Sequence, residues 1–266
     1  MRKKRFWYWL LSLIICLGVM IFTFIFPSDK DILLYFLVGL ILVPNFTMRS
    51  NEKNILIAIM GNYAINCNAE IYLKNMKKYY SECYFSKKGK RFNNIVLSMI
   101  YMDLGDFDKG KELLMGLVNY VDKFTFFQKY TYYRAWTMYY YEKGELNHMK
   151  VLLEEMKKII EVAKGTLKLQ LLTNYSIVEA KYFIAEGIYM DKARSLFNDM
   201  LTVNNVAPVM RLSAHFYLGV IHFKTGNYEK AIEEFKYVSC SEKKLYLVEK
   251  SQKYLDVIDE HLQKQQ

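Results

Sequence analysis

Residues 215–235 read HFYLGVIHFKTGNYEKAIEEF, and the stretch supports two opposed readings. His215 and His222 stand seven apart, about two turns of a helix, so they could serve a metal or a proton. The same stretch also divides at Gly226 into two apolar-periodic segments, the form of a helical hairpin made for packing. Helical metal sites use histidines three or four apart with a carboxylate or cysteine completing the shell, and neither histidine has such a neighbour at that spacing. The packing reading turns on whether the pattern recurs along the chain.

It recurs three times upstream. Gly105, Gly144 and Gly187 interrupt helical runs as Gly226 does, at spacings of 39, 43 and 39 residues. Seven residues before each glycine stands a small residue: Ser98, Thr137, Ala180 and Gly219. Four residues before each stands a ring: Tyr101, Tyr140, Phe183 and His222. Beyond the glycine come Gly110 and Leu114, Met149 and Leu153, Ala193 and Phe197, then Ala231 and Phe235, with one extra residue in the third unit. The reading is a helix with a small residue at a crossing, a glycine ending it in left-handed geometry, and a second helix laid back on the first. One hairpin cannot bury its own apolar face, so the four units, residues 93–238, must stack.

Composition agrees with an all-α chain. Of the 266 residues 53% are hydrophobic and 24% charged, which excludes disorder, and 3 prolines with 12 glycines leave few breaks between helices. Residues 54–85 read as a degenerate first hairpin turning near Asn68, with Gly61 seven residues before the turn. Residues 243–264 place Leu245, Leu247, Val248, Tyr254, Leu255 and Ile258 on one face and charges on the other, as a capping helix should.

With these residues in view, the segment YLGVIHFKTGNYEKAIEEF resembles a tetratricopeptide repeat. Leu218 and Gly219 match the family's Leu-Gly pair, Gly226 and Tyr228 its turn glycine and following aromatic, and Ala231 and Phe235 its second-helix pair. The resemblance implies antiparallel helix pairs coiling into a right-handed superhelix with a concave groove. The upstream units keep the family's residue sizes but not its letters, with Gly110 and Met149 where alanine is usual and a period longer than the usual residue count of about 34.

The N-terminus has a different character. After the basic residues 1–5, residues 6–26 form an uncharged run of 21, long enough to cross about 30 Å of hydrocarbon. No small-x-small cleavage site closes it, so a membrane helix is expected rather than a signal peptide. A second apolar run, residues 32–48, contains Pro44 and Asn45 and has the length of a short span. Two spans would place both ends in the cytoplasm, given the Lys/Arg bias on either side; a single span would put everything after residue 50 outside.

The net charge is +10, of which Arg2, Lys3, Lys4 and Arg5 carry four while Asp29, Lys30 and Asp31 give back one, leaving +7 on residues 49–266. Much of it sits in residues 74–91, where Lys74, Lys77, Lys78, Lys87, Lys88, Lys90 and Arg91 face only Glu82. This cluster fits a solvated surface or a patch on anionic lipid headgroups better than a nucleic-acid surface, because tyrosines are so frequent throughout that their presence there discriminates nothing.

No catalytic or metal motif stands out: no phosphate-binding glycine loop, nucleophile elbow, His-Glu-x-x-His or Cys-x-x-Cys occurs. No cofactor is expected; the chain has only four histidines, His148, His215, His222 and His261, and of these His222 is read as filling the aromatic packing slot and His215 the slot two turns before it. The aromatic run of residues 124–141 exceeds the needs of one buried stripe, so either the helices pack broadly or some of Tyr130, Tyr133, Tyr140 and Tyr141 face a groove that holds a peptide or partner helix. The expected function is a membrane-anchored scaffold that recruits a partner protein or peptide. A peptide-responsive regulator, closed by its ligand, is the alternative, and a membrane-bound enzyme a more distant one.

Overall fold

The structure is a computed structural model and describes residues 52–82, 87–241 and 243–264, with positions 10, 13, 14, 17, 18, 21 and 50 before them and the backbone alone at Lys87 and Lys88. The run at residues 32–48 lies outside the described residues, and so does most of that at residues 6–26. Among the described residues no helix is long and apolar enough to cross a membrane.

Helix α1 spans residues 52–66 and breaks at Cys67, whose φ is +52°. Asn68 then accepts the Ile71 N–H at 3.0 Å, capping α2, Ala69–Glu82, so the turn falls where Asn68 stands. The chain divides into two compact units, Met1–Gly61 with Asn75–Phe85, and Asn62–Lys74 with Ser86–Gln266. The division runs through the hairpin expected at 54–85: its tip belongs to the second unit and its far ends to the first. The description that follows is of the second unit.

Four hairpins follow: α3 Lys87–Asp103 with α4 Phe107–Met115, α5 Phe126–Lys143 with α6 Leu146–Val162, α7 Gly165–Glu186 with α8 Met190–Thr202, and α9 Pro208–Lys224 with α10 Tyr228–Ser239. Helix α11, Tyr246–Gln263, closes the chain. Local chemistry places these boundaries. The glycines at 105, 144, 187 and 226 have φ between +69° and +82°, so each first helix ends where a side chain would be strained. Asp106 and Asn227, one residue later, accept the backbone N–H groups of Lys109 and Lys230 and start α4 and α10. A capping box between Thr125 and Gln128 starts α5. A 3₁₀ turn at Val118–Lys123, unanticipated from sequence, links the first hairpin to the second. The 17-residue α6 and 22-residue α7 account for the long period.

The hairpins stack in order: α3, α5, α7 and α9 lie side by side, each with its second helix packed against it. Ile95, Met102, Leu114 and Trp136 join the first two hairpins. Tyr130, Met149, Met156 and Leu171 join the second to the third, and Phe197, Phe216, Phe235 and Ile258 join the third, the fourth and α11. Such nearest-neighbour cores are what a stacked repeat produces. The crossing residues behave as their size requires. A methyl on Gly219 would sit 2.7 Å from the Phe235 ring, and one on Gly110 would sit 2.9 Å from Met102 and 3.0 Å from the Ser98 carbonyl.

The capping helix does more than cover one end. It packs on α9 and α10, as a cap must, and also returns to α3. The Tyr246 ring meets Phe107 edge-on at 5.1 Å and leaves no room for a side chain at Gly105, while Lys244 accepts the Ala69 N–H at 3.1 Å. The hairpin tip at Cys67 and Ala69 shares a core with Phe235 and Ile258, so the two ends of the second unit meet.

Candidate functional site

The inner faces of α3, α5, α7 and α9 enclose, with residues 245–250, a cavity of about 320 Å³. Methionines 99, 102, 138, 149, 200 and 210 and the rings of Phe107, Phe197 and Phe216 contribute to its wall. Into this apolar space five charged side chains project: Asp103 from α3, Arg134 and Glu142 from α5, Lys181 from α7 and Lys250 from α11.

Two of the five satisfy each other. Glu142 accepts hydrogen bonds from the Lys250 ammonium and from the Tyr246 hydroxyl, tying α5 to α11. The other three are arranged differently. Asp103 accepts a 2.8 Å hydrogen bond from the Tyr63 hydroxyl, and burial raises its carboxyl above the usual range despite that bond and the two cations. Burial lowers the Arg134 guanidinium, and brings the Lys181 ammonium down to about 8, with Arg134 lowering it further and Asp103 opposing both. Lys181 lies over the Tyr217 ring at 4.6 Å. The centre of the stack therefore holds two cations against one carboxylate that is already engaged.

Of the four candidate groove tyrosines, Tyr141 lines the cavity, set edge-on to Tyr217 at 6.0 Å. Tyr130 does not: it is 2% exposed and donates to the Leu171 carbonyl at 2.9 Å, so it is an interior residue joining two hairpins. Helix α5 carries rings all round, so its periodicity does not separate the inner face from the packed one. Tyr133 is half-buried near Lys129, and Tyr140 stacks between Trp136 at 5.3 Å and His148 at 4.8 Å.

The ring four residues before each turn glycine has a partner that the sequence comparison missed. Lys109 lies over Tyr101 at 5.1 Å, His148 stacks on Tyr140, and Lys192 lies over Phe183 at 5.0 Å. In the last hairpin His222 takes the slot, and burial, then Arg194 and Lys230, lower its imidazole against the opposing effect of Glu234 and Glu233. Each second helix thus places a basic residue four past the glycine, or five in the third unit. The signal was available in those letters.

His215 does not join His222. Its Nδ1 lies 2.6 Å from Glu234, and its ring packs on Tyr237. Among the described residues no three His, Cys, Asp or Glu side chains gather as a metal site would need. Of the basic cluster, Lys74, Lys77, Lys78 and Lys90 are exposed, whereas the Arg91 guanidinium stacks over Tyr120 at 3.7 Å and is taken up in packing. The Lys87 and Lys88 side chains lie outside the described residues.

Residues 213–238 match the tetratricopeptide repeat family model. The match begins on α9 and ends on α10, covering the hairpin in which Gly219 meets Phe235. No curated protein and no solved structure matches the chain. A repeat of this family set in an all-α stack of like hairpins supports a protein–protein interaction scaffold.

Proposed function

We propose that the chain is a membrane-anchored scaffold, which recruits a partner protein to the cytoplasmic membrane face and acts by recruitment without catalysis. The observation that carries this reading is the tetratricopeptide match at residues 213–238 within a stack of similar hairpins. The anchor rests on the uncharged run at residues 6–26 and the shorter one at residues 32–48, and the orientation on the basic residues flanking them. The exposed Lys74, Lys77, Lys78 and Lys90 follow the second run closely enough in sequence to meet anionic headgroups.

Crosslinking in native membranes followed by purification of the full chain should retain a partner, and repeated recovery of the chain alone would count against the scaffold. Topology has its own measurement. Reporter fusions at residues 29 and 60 should score outside and inside respectively, and an outside score at 60 would overturn the cytoplasmic assignment.

A further inference from the structure

We propose that the central cavity is a binding site for a small organic monoanion, with the ligand's acidic group held between Arg134 and Lys181 and its apolar body against the methionine-rich wall. The inference does not depend on the scaffold reading, since a ligand inside the stack and a partner outside it use different surfaces.

The charge arrangement comes first. Among the described residues Arg134 and Lys181 form no ion pair, and the carboxylate nearest them in effect, Asp103, already accepts from Tyr63. The other acid, Glu142, is occupied by Lys250 and Tyr246. The cavity therefore carries one cation in excess, in surroundings where an uncompensated charge is costly. An anion of single charge removes the imbalance, and its oxygens match the planar donors of Arg134 and the ammonium of Lys181.

Size and lining restrict the class further. A volume of about 320 Å³ lies at the small end of ligand pockets, and its wall is mostly apolar. Methionines at 99, 102, 138, 200 and 210 are flexible enough to close on bodies of different outline. A metal ion is disfavoured by the excess of cations. A peptide would bring an N–H and a C=O for every residue, whereas the neutral polar wall is sparse: Asn174 and Thr137 already donate to the carbonyls of Gln170 and Arg134, and Ser213 adds one hydroxyl.

The test uses the full chain in lipid nanodiscs and three probes: 4-phenylbutyrate, its neutral counterpart 4-phenylbutan-1-ol, and inorganic phosphate, each followed by saturation-transfer NMR and thermal shift. The acid should bind roughly tenfold more tightly than the alcohol, the factor supplied by one charge-assisted hydrogen bond. Arg134→Met and Lys181→Met should each reduce that preference while leaving alcohol binding intact. In the unaltered chain, the bound acid should raise the titration midpoint of the Lys181 ε-methylene, a readout that needs no variant to fold. Equal binding of acid and alcohol, binding of phosphate as tight as that of the acid, absence of binding, or an unmoved Lys181 midpoint would each overturn the proposal.

Discussion

At the scale of single residues, close approach and burial make opposite demands that can be measured separately. Phe235 is fully buried and stacked on Tyr254 at 4.7 Å, so its ring cannot retreat from a methyl placed on Gly219. Overpacking of about 1–3 kcal/mol should outweigh the gain of roughly 1 kcal/mol in helix propensity, giving Gly219→Ala a net loss of about 1 kcal/mol in thermal unfolding. Gly61→Ala, where a methyl meets nothing within 4 Å, should be stabilising and serves as the control. Lys181 gives a pH signature. It faces Arg134, Asp103 and the Tyr217 ring, and titrates at about 8 in the fold against an ordinary 10.5. Between those values the unfolded chain holds a proton that the folded chain has released, so stability should rise with pH from about 8 toward 10. Lys181→Met should flatten that rise. Above pH 10 the slope should reverse, because burial keeps Tyr130, Tyr141 and Tyr217 protonated in the fold after they ionise in the unfolded chain.

At the scale of the element, the hairpin is the unit, and its last copy departs from the others in one position. Tyr101, Tyr140 and Phe183 present a ring to a basic residue of the second helix, whereas His222 presents an imidazole whose protonation burial opposes first and Arg194 and Lys230 after it. His222→Tyr should therefore stabilise the α9–α10 hairpin by about 0.5–1 kcal/mol, the value of a cation–π contact near solvent. Hydrogen exchange on α10 reads this directly, and unchanged or faster exchange would show that the ring slot contributes no such contact. Much of the hairpin was legible in the letters because its determinants are local: a glycine at positive φ, a small residue at a crossing, a capping Asp or Asn. The basic residue past each glycine is equally local but less regular, histidine in the second unit and one place later in the third. The side from which Tyr130 is covered was not legible, since a helix with rings on every face gives periodicity nothing to measure.

At the scale of the whole second unit, geometry brings together residues that no repeat offset links. Asp103 stands two residues before its glycine, Arg134 ten and Lys181 six, so aligning the units does not place them in one cavity. They converge because successive first helices lie side by side, a property of the stack that no single hairpin encodes. The meeting of the ends has the same origin. A capping helix was expected from its amphipathic pattern, but its return to α3 depends on how four hairpins add up. This makes a distinguishing prediction possible. In an open stack, damage at the start of α11 would loosen only α9 and α10, its neighbours in sequence. In the closed arrangement Tyr246 also bears on Phe107, Gly105 and Glu142, so Tyr246→Ala should release the first hairpin as well. A loss of about 1–2 kcal/mol is in scale for a half-buried ring. Amide exchange at the C-terminal end of α3 and at the tip residues 63–69 should accelerate roughly tenfold, the factor that about 1.4 kcal/mol corresponds to, while protection in the α5–α6 hairpin should be retained. Acceleration confined to α9, α10 and α11 would mean that the contact between the ends does not hold the stack closed.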